Sequence, residues 1–458
     1  MVTFKGYEEL IEKVYSCKQE HVFEYWDKLL DVEKRELLQD LGSIDFELLR
    51  QIYSHTHDGR ITGFSPAPYI SLPKTPEERE RFAEAEHAGE EHIRAGRVAA
   101  FLVAGGQGSR LGYDGPKGKF PVGAVSGKTL FHFHAEKIKA SQDKYKTAIP
   151  FFIMTSRDNH QETEIFFRDQ DYFGLDPVNV HFFSQNMIPS LDQKGKLILA
   201  ETNRIFMNPD GHGGSLTALR TSGAMERMKQ SGIETISYFQ VDNPLVRIID
   251  PVFTGFHVLE KAEISSKTLL KASAEEKTGV FVSFGGGRTG IVEYSDLTEE
   301  QSRMTDVDGR LLFSAANPAI HLFSLSFIEG ITGEQGPSLP YHTAKKKIPA
   351  IINGATEEIN GYKYEKFVFD ALPISSGNII LETLRDEEFA PVKNASGTDS
   401  VSSAREIMDR LYRKWLLLRG IEIPRSVKVI EISPLFALSA EDIPEGLEVP
   451  DMEKVLLE

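Results

Sequence analysis

The run VAAFLVAGGQGSRLGYDGPKGKFPV, Val98 to Val122, decides how the rest of the chain is read. Val98 to Val103 is continuous and apolar, the pattern of a parallel strand buried on both faces. It runs into Gly105, Gly106 and Gly108, where a missing Cβ lets backbone N–H groups approach an anion. Arg110 and Lys117 then add two positive charges. A glycine loop alone is an ordinary strand-to-helix turn, but with Arg and Lys at this spacing it reads as a phosphate cradle. Two better-known cradles do not fit. A dinucleotide fingerprint begun at Gly106 needs glycine where Leu111 stands, and GAVSGKT (Gly123 to Thr129) is one residue short of a P-loop. The second reads as a turn into a helix near Leu130.

Outward from this run, short apolar strands alternate with helical stretches: PFFIMTS (150–156), VHFFSQ (180–185) and TISYFQVDN (235–243). Such alternation implies an α/β fold with a mainly parallel sheet covered on both faces, whose ligands sit beyond the carboxyl ends of the strands. The glycine loop, Gln185 and Asp242 all fall at such ends. Residues 5–54 carry apolar positions at helical spacing, and a Pro-rich connection (65–76) precedes a charged helix over 77–96. Between 267 and 394 the pattern is richer in β-strand; a helix follows over 403–419, then a tail whose SVKVIEIS reads as an edge strand. The expected organisation is an N-terminal helical unit (1–95), a catalytic core (96–420) and a small C-terminal unit (421–458).

The 458 residues are enough for a large core, and 40% hydrophobic with 26% charged residues is ordinary for a globular protein. A net charge of −16 argues against nucleic acid or an anionic membrane as partner. The single cysteine, Cys17, leaves no internal disulfide and suits a reducing compartment. No run reaches the roughly 18 apolar residues of a membrane helix, and MVTFKGYEELIEK lacks the apolar centre of a secretory signal. The expected location is the cytoplasm.

Several separated motifs then act together: AGGQGSRLG with PKG, FFSQ followed by MIPS, MNPDGHGG, QVDNPLV, VEYSD, SAANPAIH, YHTAKKKIP, EKFVFD, LRDEEFAPVKN and EISPL. In this order the chain closely resembles the UDP-N-acetylhexosamine pyrophosphorylases, within the larger UDP-sugar pyrophosphorylase group, from about residue 98 to 440. The resemblance implies a Rossmann-like, mixed but mainly parallel nucleotidyltransferase core. It implies transfer of a uridylyl group from UTP to N-acetylglucosamine 1-phosphate, releasing pyrophosphate. Carried over by motif, Val103, Ala104, Gly105 and Gly106 would hold the nucleotide through main chain. Gln185 and Gly211 would meet the uracil side, Asp242 the phosphates, and Lys117 and Lys366 UTP as well. His212, Glu293, Tyr294, Asn317 and Lys393 would meet the sugar phosphate. At one position the chain departs from the pattern. His212 stands where the N-acetylhexosamine enzymes usually carry Asn, closer to the Gly-His-Gly of enzymes that use glucose 1-phosphate, the alternative substrate.

The implied chemistry suits these residue types. A sugar phosphate oxygen is already ionised and needs no general base, so catalysis rests on alignment and positive charge. Arg110 and Lys117 suit the departing pyrophosphate, and Lys393 the incoming phosphate. Mg²⁺ commonly uses one or two carboxylates plus substrate oxygens, with Asp242 the better candidate and Asp370 the second. Each residue also has a plain alternative. Gln185 satisfies a loop, Lys366 lies solvent-exposed on an alternating strand, Asp370 caps a turn, and the lysines at 345–347 form a solvated face. Two other functions compete. A glycosyltransferase would use an Asp-x-Asp such as Asp306 to Asp308, and a UDP-sugar sensor would keep the fold without the charged groups.

Overall fold

Val98 to Leu102 are all buried in the computed structural model, which describes residues 1–54, 63–333 and 336–458. This strand lies inside a mixed sheet of eleven strands. Thr235–Gln240, Val98–Val103, Phe151–Thr155 and Val180–Ser184 run parallel in that spatial order. Asn378–Glu382 adds a parallel partner to Ile264–Leu270. The remaining pairings are antiparallel, including His321–Ser324 with Thr235–Gln240 and the hairpin of Val280–Phe284 with Arg288–Val292. Parallel pairing is therefore concentrated in the strands with the most continuous apolar runs, as burial on both faces demands.

The sheet belongs to the larger of two units, formed by Ile61–Ser184, Leu216–Ser338 and Ala371–Glu458. Helix Leu130–Tyr145 opens on a Thr129 cap, with the side chain accepting from the His132 N–H. Helix Pro76–Arg94 crosses Pro251–Leu259 at glycines: a Cβ on Gly89 would stand 2.7 Å from the Pro251 carbonyl carbon. The tail strands Val429–Ile432 and Lys454–Leu457 pair in parallel, and Ile430, Ile432, Val455 and Leu457 join the same core as Leu130 and Ile138. The P-loop lookalike leads into the helix at Leu130, as its sequence implies. Its Val125 and Ser126 N–H groups donate to Glu431 at 2.6 and 3.1 Å, so this nest already holds an internal anion.

The smaller unit joins three separate stretches, Met1–Arg60, Gln185–Ser215 and Leu339–Asp370. Helices Glu8–Ser16, Asp31–Gly42 and Phe46–Ser54 bury Ile11, Val14, Leu37, Leu38 and Leu49 in one core with Ile188, Leu191, Tyr362 and Tyr364. A long hairpin, His342–Ile352 with Ala355–Glu365, turns at Asn353-Gly354. Both residues have positive φ, 51° and 79°, as a type I′ turn requires. The two units thus cut the chain differently from the three contiguous blocks that the sequence suggests. The helical block gathers residues from two later stretches, while helix Pro76–Arg94 and the tail pack into the larger unit. Periodicity reports which face of a helix is buried but not what covers it. Among the described residues no helix is long and apolar enough to cross a membrane.

Candidate active site

In the larger unit, Val98–Val103 has Phe151–Thr155 on one side and Thr235–Gln240 on the other. This is a topological switch point, the place where open α/β sheets bind ligands beyond the carboxyl ends of their strands. The loops leaving Val103 and Gln240 meet there. Lys117 Nζ lies 3.2 Å from Asp242 Oδ2, and both side chains are largely covered. Residues 104–129 separate the strand from its helix, so the glycine stretch is a long loop rather than a tight strand-to-helix turn. It is held by the buried Asn159, whose Nδ2 donates to the Ala104 and Gly106 carbonyls at 3.1 and 3.3 Å. The Lys117 N–H returns to the Gly106 carbonyl at 3.1 Å. A Cβ on Gly106 would meet nothing within 4 Å, whereas at Gly108 it would stand 2.9 Å from Tyr113 Cβ. Only the first is open toward a ligand; Gly108 serves the loop's own packing.

Arg110 is exposed on the short turn Ser109–Leu111, with no ion pair among the described residues. The Val392 N–H donates to the Asp242 carbonyl at 2.9 Å, which brings the segment carrying Lys393 alongside. Lys393 is exposed, its Nζ 5.6 Å from the Phe389 ring centre. Glu293 and Asn317 meet across Gly279: the Asn317 N–H donates to the Gly279 carbonyl, and a Cβ on Gly279 would lie 2.8 Å from Glu293 Oε1. Tyr294 is exposed beside them. Asp306 and Asp308 form no comparable site. Asp306 Oδ1 accepts from the Asp308 and Arg310 N–H groups in an exposed turn.

The smaller unit holds a second cluster. Gln185 Nε2 donates to the Gly211 carbonyl at 2.6 Å and to Asp210 Oδ1 at 3.3 Å. Its amide N–H groups are thus spent inside the protein, leaving Oε1 as the free end for a base edge. Asp210 is buried, and that burial pushes its carboxyl up to about 6, against the opposing pull of Gln185 and Lys366. Lys366 is only 7% exposed, which overturns the solvent-exposed reading of its strand. It forms no ion pair among the described residues; its Nζ sits 4.5 Å from the Tyr341 ring centre, and burial lowers its pKa.

The glycines of MNPDGHGG are explained by the chain itself. Gly211 has φ of 83°, and a Cβ on Gly213 would stand 2.6 Å from the Phe367 carbonyl carbon. His212 Nδ1 accepts from the Val368 N–H at 3.1 Å, and its ring stacks on Phe367. Burial holds its pKa down at about 4, so the ring is neutral with its proton on Nε2. Phe367 also stacks on His342, whose Nε2 lies 2.7 Å from Asp370 Oδ2. Asn159, Asp210, Tyr341 and His342 were not singled out from sequence. Of these, Asp210, Tyr341 and His342 lie inside quoted motifs, and that position was their only signal.

The family model for UTP–glucose-1-phosphate uridylyltransferase matches residues 70–417. UDP-N-acetylglucosamine diphosphorylase 2 of Arabidopsis thaliana is 35% identical, over 96% of this chain and 92% of its own length. The UDP-N-acetylglucosamine pyrophosphorylase of Saccharomyces cerevisiae is 32% identical, over 93% and 94%. This chain belongs to the UTP–glucose-1-phosphate uridylyltransferase family. Its fold agrees with the solved uridine diphosphate N-acetylglucosamine pyrophosphorylase of Trypanosoma brucei, with a TM-score of 0.84 at 28% identity, covering 96% of this chain and 95% of that one. The family model and these relatives span both clusters, so the charged groups of this uridylyltransferase lie within the matched region rather than on an appended segment.

Proposed function

We propose that the chain transfers the uridylyl group of UTP to N-acetylglucosamine 1-phosphate and releases pyrophosphate. The observation that carries this reading is the Lys117–Asp242 pair beyond the carboxyl ends of the parallel strands, beside the exposed Arg110 and Lys393, in a chain of this family. A sugar phosphate oxygen attacks the α-phosphorus, and the chain aligns two anions that repel each other. Arg110 and Lys117 take the departing pyrophosphate, and Lys393 takes the incoming phosphate. By resemblance to the family, the main chain from Val103 to Gly106 in the larger unit is assigned to the nucleotide, and so, separately, are Gln185, Gly211 and Lys366 in the smaller one. An almost covered amine without an ion pair, as at Lys366, suits an anionic ligand. His212, Glu293, Tyr294 and Asn317 take the sugar phosphate. The neutral His212 keeps an Nε2–H donor where an Asn would offer its amide, so the position still fits the N-acetylated sugar, while the motifs around it carry the preference over glucose.

The residues also fit Mg²⁺ at Asp242. Only one of its oxygens is engaged, by Lys117, and this ion commonly takes one or two carboxylates plus substrate phosphates. Asp370 likewise has one oxygen held, by His342, and fits less well because it lies on the short turn Val368–Ala371 rather than beyond a strand of the large sheet. When bound, the ion would offset charge on the phosphates. The test is the initial rate of pyrophosphate release from UTP and Mg²⁺ with the 1-phosphates of N-acetylglucosamine, N-acetylgalactosamine, glucose and galactose. N-acetylglucosamine 1-phosphate is expected to lead, preference for glucose would make His212 the specificity signal, and no release with any sugar would sink the assignment.

A further inference from the structure

Asn243 follows Asp242 directly, is 5% exposed, and every polar atom of its side chain is used. Its Nδ2 donates to the Glu388 carbonyl at 2.7 Å, and its Oδ1 accepts from the Ala390 N–H at 3.0 Å and the Leu245 N–H at 3.3 Å. One planar amide thus joins its own turn to both sides of the 388–390 backbone, which only a group with donor and acceptor in one plane can do. Two residues further on, the Val392 N–H reaches the Asp242 carbonyl at 2.9 Å, and Lys393 comes next.

The two partners of this clamp are themselves anchored. Pro244 restricts the Asn243 backbone to extended conformations, and Lys137 Nζ donates to the Pro244 and Val246 carbonyls beyond it, the second at 2.8 Å. On the other side the fully buried Glu388 carboxylate meets Lys267 Nζ from strand Ile264–Leu270 and Thr383 Oγ1. The clamp therefore sits between two rigid supports, and a second tie runs beside it: Glu388 Oε1 accepts from the Arg247 N–H at 3.2 Å.

We infer that Asn243 is a positioning residue that fixes the distance between Asp242 and Lys393, and so between the nucleotide phosphates and the incoming sugar phosphate. The inference rests on the proposed roles of those two residues. Misplacement of a reacting group by about 1 Å costs on the order of a hundredfold in rate. Asn243→Asp keeps the acceptor and loses the donor, and Asn243→Ala loses both. Each should lower kcat by about tenfold to a hundredfold, while UTP affinity measured without sugar phosphate stays within about threefold.

The deciding measurement is a double-mutant cycle with Lys393→Ala. A positioning role makes the losses strongly non-additive: once Lys393 is gone, changing Asn243 costs little more. Full additivity, with a large effect of Lys393→Ala alone, overturns the inference and leaves the function standing. No effect of Lys393→Ala removes the proposed role of Lys393, and the inference falls with it. Hydrogen exchange in the unaltered protein offers a check that needs no variant. The 243–246 and 389–393 backbones should be protected as one unit, and clearly separate exchange would contradict the clamp.

Discussion

The glycine loop of the larger unit and the Gly-His-Gly-Gly turn of the smaller one are written in the same residues and use them oppositely. Around Gly106 the backbone is open, Arg110 is exposed with no ion pair among the described residues, and Lys117 pairs with the Asp242 carboxylate. Around Gly211 to Gly214 the space is filled by the chain's own Lys366–Phe367 backbone and the Asp210 carboxylate. The first loop leaves room at Gly106, while the second is closed by the chain itself. A glycine cluster marks close approach in both cases, but only the structure says what approaches.

The largest test of this contrast is Lys117→Met. Loss of a cation from the transferring phosphates should cut kcat by about 10²–10³-fold. Both side chains are largely covered, so the change also leaves Asp242 without its partner and should lower the melting temperature modestly beside the loss of turnover. A loss of turnover below about threefold would break the contrast at its functional end.

The next effect separates the two loops with one substitution. Gly213→Ala forces a Cβ against the Phe367 backbone and should cost about 1–3 kcal/mol, read as a clear fall in melting temperature. Gly106→Ala meets no protein atom and has no positive φ to strain, so its stability should be unchanged while the KM for UTP rises. The reverse pattern would mean that the open loop is structural and the filled turn is the ligand site.

A smaller effect sharpens the reading of His212. Burial holds this imidazole at about 4 against the ordinary 6.5, so between those values the unfolded chain takes up a proton that the folded chain refuses. The stability of the neutral buried ring is complete above pH 6.5 and is lost as pH falls toward 4. His212→Asn has no such proton. Melting curves at pH 7.5 and 5 should show the unaltered protein losing ground to the variant on acidification. An equal drop in both would mean that the ring is not held neutral.

The parallel strands were legible because double-sided burial leaves a continuous apolar run, as in FLV and FFIM. The approach of the glycine loop to Asp242 followed from the rule that α/β ligands collect at strand carboxyl ends, whereas the Lys117–Asp242 ion pair itself did not. What the sequence hid depends on contacts between distant stretches. The three helices before residue 55 give no sign that Leu191 and Tyr362 complete their core. Lys366 alternates along a strand like any exposed lysine, and its burial comes from a neighbour such as Tyr341 that local periodicity does not register. Asp210 is bonded by the Gln185 amide and Asn243 bonds the remote 388–390 backbone, contacts for which no spacing rule exists.

These charges are assigned to uridylyl transfer to N-acetylglucosamine 1-phosphate. The most direct test is kcat/KM for that sugar phosphate against glucose 1-phosphate at saturating UTP and Mg²⁺, followed by pyrophosphate release. A clear preference for the N-acetylated sugar is expected, with release from either sugar nearly abolished in Lys117→Met. Equal or greater use of glucose 1-phosphate would contradict the substrate assignment, and release unchanged by Lys117→Met would contradict the site.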